Sequence, residues 1–155
     1  MTASAPFTDT ARNRHGLTPR PAQDVGPSFL HAAVASGGAA AAFSHERRHP
    51  VHPVHVPARS LSMSIGVLEP GASTSTHRHA YEAIMYVLIG RGHSIVEGSR
   101  FDWKAGDALY TAPWCWHEHF ADPDCRVEYV TATNMPMLEL LGQTVMREEA
   151  DPSPR

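Results

Sequence analysis

The sequence reads Gly71-Ala-Ser-Thr-Ser-Thr-His77-Arg-His79 near its middle and, 38 residues after the second histidine, has His117 in Pro113-Trp-Cys-Trp-His117-Glu-His119. Alternate side chains of an extended strand lie on one face, so His77 and His79 can both point into one cavity. Neutral imidazoles bind iron, zinc, copper and nickel, and three of them leave coordination positions open for reactants. The pattern therefore predicts a reactive metal centre rather than a structural metal site.

Short β-type runs separated by turn residues surround these histidines. Strands are expected at 60–68, 83–89, 93–96, 100–103, 108–111, 116–120 and 126–133. The continuous apolar run at 83–89 indicates a buried strand, and Glu97-Gly98 indicates a tight hairpin. Because no long helical pattern interrupts the series, the spacing favours an all-β sandwich or barrel. In such a barrel, the chain path from His79 would bring His117 across to the first two histidines.

The composition bounds the class of protein. The 155 residues are 42% hydrophobic and 19% charged, which fits one globular domain with flexible ends. A net charge of −3 gives no broad basic field, and no nucleic-acid motif is present. No apolar run is long enough for a membrane span, and the N-terminus has no secretory signal. Two cysteines make no disulfide framework, so a cytoplasmic location is expected.

Three segments are predicted from these patterns. Residues 1–58 form an N-terminal arm that is partly disordered or extended, residues 59–133 form the barrel, and residues 134–155 form a tail with a short helix. Within the arm, a short helix capped by Ser28 would end at Gly37-Gly38.

The arm also carries three histidines at a spacing of three residues, followed or preceded by prolines. These residues, His49, His52 and His55, could line one edge of an extended segment. A second metal site is conceivable there, but the biased composition explains the run more simply.

The two histidine stretches resemble the two sequence boxes of the cupin superfamily. The resemblance covers about residues 60–133 and rests on Gly71-x5-His77-x-His79, Gly90, Gly106-Asp107 and a proline-containing turn before His117. Within the superfamily, the stretches around both boxes and Asn134-Met-Pro-Met-Leu-Glu-Leu-Leu-Gly142 look most like the gentisate 1,2-dioxygenase branch. Many cupins place a ligand glutamate at the position of Ala83, whereas the gentisate branch lacks it, as this chain does.

This resemblance implies a single-domain, all-β cupin: a small antiparallel β-barrel with a flexible N-terminal arm, a short C-terminal helix and a homodimeric assembly. It implies Fe(II) held by His77, His79 and His117, although imidazole ligands leave Zn, Mn, Ni and Cu open. The implied reaction is the O2-dependent opening of a small aromatic or enolisable oxygenated acid. The alternatives are a metal-dependent isomerase, lyase or cyclase without O2 chemistry, and a non-catalytic small-molecule-binding cupin.

Several further side chains are candidates for the substrate site. Tyr86, Trp103, Trp114 and Trp116 could form apolar walls, with simple core or interface packing as the alternative for Trp114 and Trp116. His119 is the candidate catalytic residue that steers protons; a fourth metal ligand or a partly exposed strand histidine are its alternatives. A substrate carboxylate could pair with Arg78 or Arg91, because a guanidinium offers it two donors.

Overall fold

Two antiparallel sheets of five strands each form the framework of this computed structural model, which describes residues 40–150 except for the side chains of Phe43 and Glu46. In chain order the elements are α1 (Ala41–Arg47), β1 (Val51–Pro53), β2 (Ser62–Leu68), β3 (His77–His79), β4 (Ala83–Ile89), β5 (Arg91–Val96), β6 (Ser99–Lys104), β7 (Ala108–Thr111), β8 (His117–Ala121), β9 (Val127–Thr133), α2 (Met135–Leu140) and β10 (Arg147–Glu149).

The first sheet has the strand order β1-β2-β9-β4-β7, and the second has the order β10-β3-β8-β5-β6. The predicted all-β class, the barrel-like pair of sheets and the short helix after the last long strand are therefore confirmed. Neither helix of the described segment has the length and apolar character that a membrane span needs. The helix predicted after Ser28 lies outside the described residues.

The core lies between the two sheets and is filled by alternate residues of the strands. Its buried side chains are Leu68, Met85, Val87, Trp103, Ala121, Val127 and Tyr129. The prediction that β4 is a buried strand is confirmed for one face only, because exposed side chains alternate with buried ones along it. Ile84 and Tyr86 are 51% and 46% exposed, since no described element covers the outer face of the first sheet at these residues.

The hairpin between β5 and β6 turns at Glu97-Gly98, as predicted. Both residues have positive φ angles, 47° and 76°, as a type I′ turn requires. The resulting register sets Gly92 opposite Trp103. A Cβ atom at Gly92 would overlap both the Trp103 ring and the Phe120 carbonyl, so glycine allows this tryptophan to pack into the core.

Two short strands from outside the predicted barrel segment complete the sheets at their edges. β1 pairs with β2, setting Val51 opposite Gly66. β10 pairs with β3, setting Arg147 opposite His79 and Glu149 opposite His77. Side chains from both ends of the described chain therefore reach the interior between the sheets.

Candidate metal centre

The structure brings the three predicted ligand histidines together at one end of the interior. His77 on β3 lies opposite His117 on β8, and His79 follows two residues later on the same strand face. All three are buried, and their candidate ligand atoms lie within 4.8 Å of one another. The ring centroids of His77 and His79 lie 4.0 Å and 4.8 Å from that of His117. We call these three residues the histidine cluster.

Each ring of the histidine cluster is oriented by a backbone carbonyl two residues away. Nδ1 lies 2.8 Å from the Ser75 oxygen in His77 and 2.8 Å from the Cys115 oxygen in His117. In His79 it lies 2.7 Å from the Tyr81 oxygen. Because a carbonyl oxygen only accepts, Nδ1 carries the hydrogen in each ring and Nε2 keeps its lone pair. This is the tautomer that a metal ion requires of a histidine bound through Nε2.

The electrostatic surroundings keep the histidine cluster neutral. Burial lowers the pKa of His77 far below its ordinary value, and the neighbouring His117 and Arg147 lower it further. Burial and His117 also lower the pKa of His79, to about 4. The pKa of His117 is lowered mainly by burial. The three Nε2 lone pairs are therefore available near neutral pH, as cation binding requires.

His119, the predicted catalytic residue, lies two residues beyond His117 and on the same face of β8. It is buried, and its ring centroid lies 5.5 Å from that of His117. Its Nδ1 lies 2.7 Å from Ser94 Oγ, and Trp103 Nε1 donates to the same oxygen at 2.8 Å. Its burial excludes the alternative of a partly exposed strand histidine, and the residue lines the cavity in front of the histidine cluster.

A cavity of about 300 Å³ opens in front of the histidine cluster. Its wall combines apolar and polar side chains from both sheets and from α1 and β10. Besides the cluster and His119, the wall includes Arg47, His49, Tyr81, Met85, Tyr129 and Arg147. A cavity lined by polar side chains beside the histidine cluster can bind and orient a small polar ligand.

The four predicted substrate-binding aromatic residues do not lie in this wall. Tyr86 points outward from β4, because the inward positions of that strand are Ala83, Met85 and Val87. Trp103 is buried in the core, and its indole N–H donates a hydrogen bond to Ser94 Oγ. Trp114 and Trp116 lie on the outer side of β3, where both rings stack against Arg78 at 4.5 Å.

The two arginines that were candidates for a carboxylate clamp are also engaged elsewhere. Arg78 forms an ion pair with Glu148, and Arg91 forms ion pairs with Asp122 and Asp124. The arginines that line the cavity are instead Arg47 and Arg147. No local sequence signal singles out Arg147, because its position depends on the long-range pairing of β10 with β3.

Glu118 anchors the loop that precedes the histidine cluster. Its two carboxylate oxygens accept hydrogen bonds from Ser73 Oγ at 2.9 Å and Thr76 Oγ1 at 2.6 Å. The Thr74 amide donates to the His119 carbonyl, and the His119 amide donates to Thr74 Oγ1. The hydroxyl-rich stretch before His77 therefore fixes β3 against β8, a role that sequence reasoning missed.

Comparisons with known proteins agree with this architecture. Residues 64–132 match the family described as Cupin domain (Cupin_2). Gentisate 1,2 dioxygenase 1 of Aquipseudomonas alcaligenes is 34% identical over 82 residues, which are 52% of this chain and 24% of that protein. The 5-aminosalicylate 1,2-dioxygenase of a Comamonas species is 32% identical over 95 residues, 61% of this chain and 25% of that protein.

The fold is also similar to that of a solved dioxygenase. The salicylate 1,2-dioxygenase of Pseudaminobacter salicylatoxidans superposes with a TM-score of 0.62 at 22% identity, covering 67% of this chain and 32% of that one. The chain thus spans about a quarter of the length of the curated relatives named above. Residues 64–132 of this chain thus match the cupin domain, and its sequence resembles the gentisate 1,2-dioxygenase branch of the cupin superfamily.

Proposed function

We propose that this chain is a non-haem Fe(II) dioxygenase that acts on a small aromatic or enolisable oxygenated acid. The single observation that carries the proposal is the histidine cluster: three buried Nε2 lone pairs, each fixed by an Nδ1–carbonyl hydrogen bond, converge on one cavity. The names of similar proteins, which include gentisate and 5-aminosalicylate 1,2-dioxygenases, support the choice of reaction.

The donor set fits a divalent metal ion. Three neutral imidazoles occupy one side of an ion and leave the other side for ligands, which suits Fe(II) and also Zn, Mn, Ni or Cu. Bound Fe(II) would supply a Lewis acid and a reductant for O2 beside the substrate. The role of the protein is to hold His77, His79 and His117 in one tautomer and to exclude bulk water from their Nε2 atoms.

The cavity wall supports an acidic substrate of small size. Arg47 and Arg147 bring two guanidinium groups to the wall, and a guanidinium can bind a carboxylate through two parallel hydrogen bonds. Tyr81 and Met85 offer apolar surface to an aromatic ring. The cavity of about 300 Å³ lies at the small end of the range for ligand pockets.

We also infer a homodimer and a cytoplasmic location. The outer face of the first sheet bears uncharged side chains on adjacent strands, because Ile84 lies between Tyr110 and Ala132 in the register. Such a face is complementary to itself, as a two-fold symmetric interface requires. Cys115 and Cys125 are both free thiols, which agrees with a reducing compartment.

The test is anaerobic reconstitution with Fe(II), followed by measurement of oxygen uptake with gentisate, salicylate and 5-aminosalicylate. We expect uptake of one O2 per substrate consumed, with a new ring-opened product. The matched control is His77→Ala, which removes one Nε2 donor and should abolish uptake.

Two results would contradict the proposal. If O2 is never consumed while Zn(II) or Ni(II) supports turnover of a substrate, the metal acts only as a Lewis acid and the chain is an isomerase, lyase or cyclase. If freshly purified protein binds little metal of any kind, the chain is a binding module.

A further inference from the structure

A second polar pair faces the cavity from the sheet opposite the histidine cluster. The Tyr129 hydroxyl lies 2.7 Å from His49 Nε2, and His49 Nδ1 lies 2.7 Å from the Arg47 carbonyl oxygen. Because the carbonyl only accepts, Nδ1 carries the hydrogen and Nε2 accepts the Tyr129 O–H. His49 therefore has the same tautomer as the residues of the histidine cluster. Its Nε2 lone pair, however, faces the Tyr129 phenol instead of a candidate metal position.

The chain is built to place this phenol. Tyr129 on β9 lies opposite Gly66 on β2, and Gly66 lies opposite Val51 on β1. A Cβ atom at Gly66 would overlap the Tyr129 ring and its hydroxyl oxygen. The ring thus crosses the bare backbone of β2 to reach His49, which lies just before β1. Any other residue at position 66 would displace the hydroxyl from His49.

The pair shares the cavity with the groups proposed to bind metal and substrate. Tyr129 and His49 are only 5% and 7% exposed, and both belong to the cavity wall. The Tyr129 ring centroid lies 6.1 Å from that of His119. The charged groups that face the pair are Arg47, from the end of α1, and Arg147, from β10.

We propose that the Tyr129–His49 pair binds a hydroxyl group of the substrate, phenolic or enolic, and accepts its proton; a metal ion held by the histidine cluster would favour the resulting oxyanion. The substrate O–H bond breaks and its electron pair stays on the substrate oxygen. The proton passes to the Tyr129 oxygen while the Tyr129 proton passes to His49 Nε2. The products are a substrate oxyanion and an imidazolium that still donates from Nδ1 to the Arg47 carbonyl. No electron is transferred.

This inference rests on the proposed metal site and names the substrate more narrowly, as an acid that also carries an ionisable hydroxyl. Tyr129 can relay a proton because its oxygen can accept from the substrate while it donates to His49. Burial disfavours the imidazolium most, and Arg47 and Arg147 disfavour it further. The two guanidinium groups favour the oxyanion, and the ion pair forms without a change in the net charge of the cavity.

The test uses two variants that differ in what they retain. Tyr129→Phe removes the hydroxyl. His49→Gln keeps an acceptor for the Tyr129 O–H but removes the base. If the pair were only structural, His49→Gln would behave as the wild type. The matched control is Tyr110→Phe, which removes a hydroxyl from the outer face of the first sheet, where it donates to Glu82.

The readout is the visible spectrum of nitrocatechol bound to zinc-loaded full-length protein, because the ionisation of this probe changes its colour and zinc is redox-inert. We expect the fully ionised probe on the wild type and on Tyr110→Phe at neutral pH, and the singly ionised probe on both pair variants. With Fe(II) and an active substrate, we expect kcat to fall about 100-fold in both pair variants, with KM nearly unchanged.

Each outcome decides the matter. Fully ionised probe on His49→Gln, with wild-type kcat, overturns the proposal, because zinc alone then ionises the hydroxyl. A wild type that binds no probe also overturns it. Failure of oxygen uptake with Fe(II), combined with the expected probe spectra, removes the dioxygenase reaction but keeps the proton acceptor. If Tyr129→Phe does not fold, His49→Gln alone carries the test.

Discussion

Arg147 lies directly opposite His79 in the ladder between β10 and β3. Its side chain therefore shares the inward face of the sheet with the histidine cluster, and its charge contributes to lowering the pKa of all three cluster histidines. Arg147 Nε lies 2.7 Å from Glu149 Oε1, in an ion pair that is mostly shielded from solvent. A three-residue edge strand thus brings a fixed positive charge to the place where an anionic ligand would bind.

Replacement of Arg147 should weaken the binding of carboxylate ligands. A hydrogen bond to a charged group contributes about 1.5–3 kcal/mol, so Arg147→Gln should raise the Kd for salicylate about 10- to 100-fold. Calorimetric titration of the zinc-loaded protein measures the change. The matched control is Arg126→Gln, which removes an exposed guanidinium that pairs with Glu69 and Glu128. Equal affinity in both variants would contradict the role of Arg147.

Each residue of the histidine cluster should be needed for metal binding. Alanine at position 77, 79 or 117 leaves two imidazoles, and metal content should fall below about a tenth of the wild-type value. Elemental analysis of freshly purified protein gives the content. A second measurement is the rise in Tm on addition of metal, which should disappear in each variant. His45→Ala, on the exposed side of α1, should retain both wild-type values.

The sequence predicted the parts of the site that depend on local spacing, and missed those that depend on long-range pairing. His77, His79 and His117 are recognisable because an i,i+2 pair and its turn residues lie close together in the chain. The inward orientation of Tyr129 could have been predicted by the same reasoning, since Tyr129 lies two residues after the buried Val127 on β9. The orientation of Arg147 could not have been predicted, because only the pairing of β10 with β3 turns its side chain inward.

The orientation of Tyr86 could not be predicted for a related reason. An apolar run such as 83–89 does not say which of its two faces is buried. In the structure Met85 points inward and Tyr86 outward, because the parity of β4 is set by its pairing with β9, where Tyr86 lies opposite Val130. The choice of face is a tertiary property that periodicity alone leaves open.

Stability should decrease steeply in mild acid. The folded-state pKa values of five buried histidines lie below the ordinary value of 6.5, at about 4 for His79. Below pH 6.5 the unfolded chain therefore binds protons that the folded chain does not, and the free energy of unfolding falls as pH falls. Each such proton lowers the free energy of unfolding by about 1.4 kcal/mol for each unit by which the pH falls.

Urea unfolding of the metal-free protein at intervals from neutral pH down to the His79 pKa tests this expectation. His79→Gln removes one of the five groups and should make the dependence on pH shallower. A free energy of unfolding that stays constant across the window would contradict the assignment of neutral, buried imidazoles.

A charge on the outer face of the first sheet should dissociate the proposed dimer. Ile84→Arg places a guanidinium next to Tyr110 on β7 and would set two like charges close together across a two-fold axis. Light scattering after gel filtration should then give the monomer mass. Phe101→Arg, an equally exposed site on β6 of the other sheet, is the control and should leave the mass unchanged. Dissociation by the control alone would move the interface to the second sheet.

Replacement of Trp103 distinguishes a core residue from a substrate wall. Its indole N–H donates to Ser94 Oγ, which lies 2.7 Å from His119 Nδ1. Trp103→Phe removes that donor and part of the core volume, so the free energy of unfolding should fall by about 2–4 kcal/mol while KM stays near its wild-type value. Trp114→Phe, whose ring is partly exposed against Arg78, should cost less than about 1 kcal/mol. A raised KM at unchanged stability would instead support contact between Trp103 and the substrate. Its burial argues against such contact, because Trp103 is only 6% exposed and does not line the cavity.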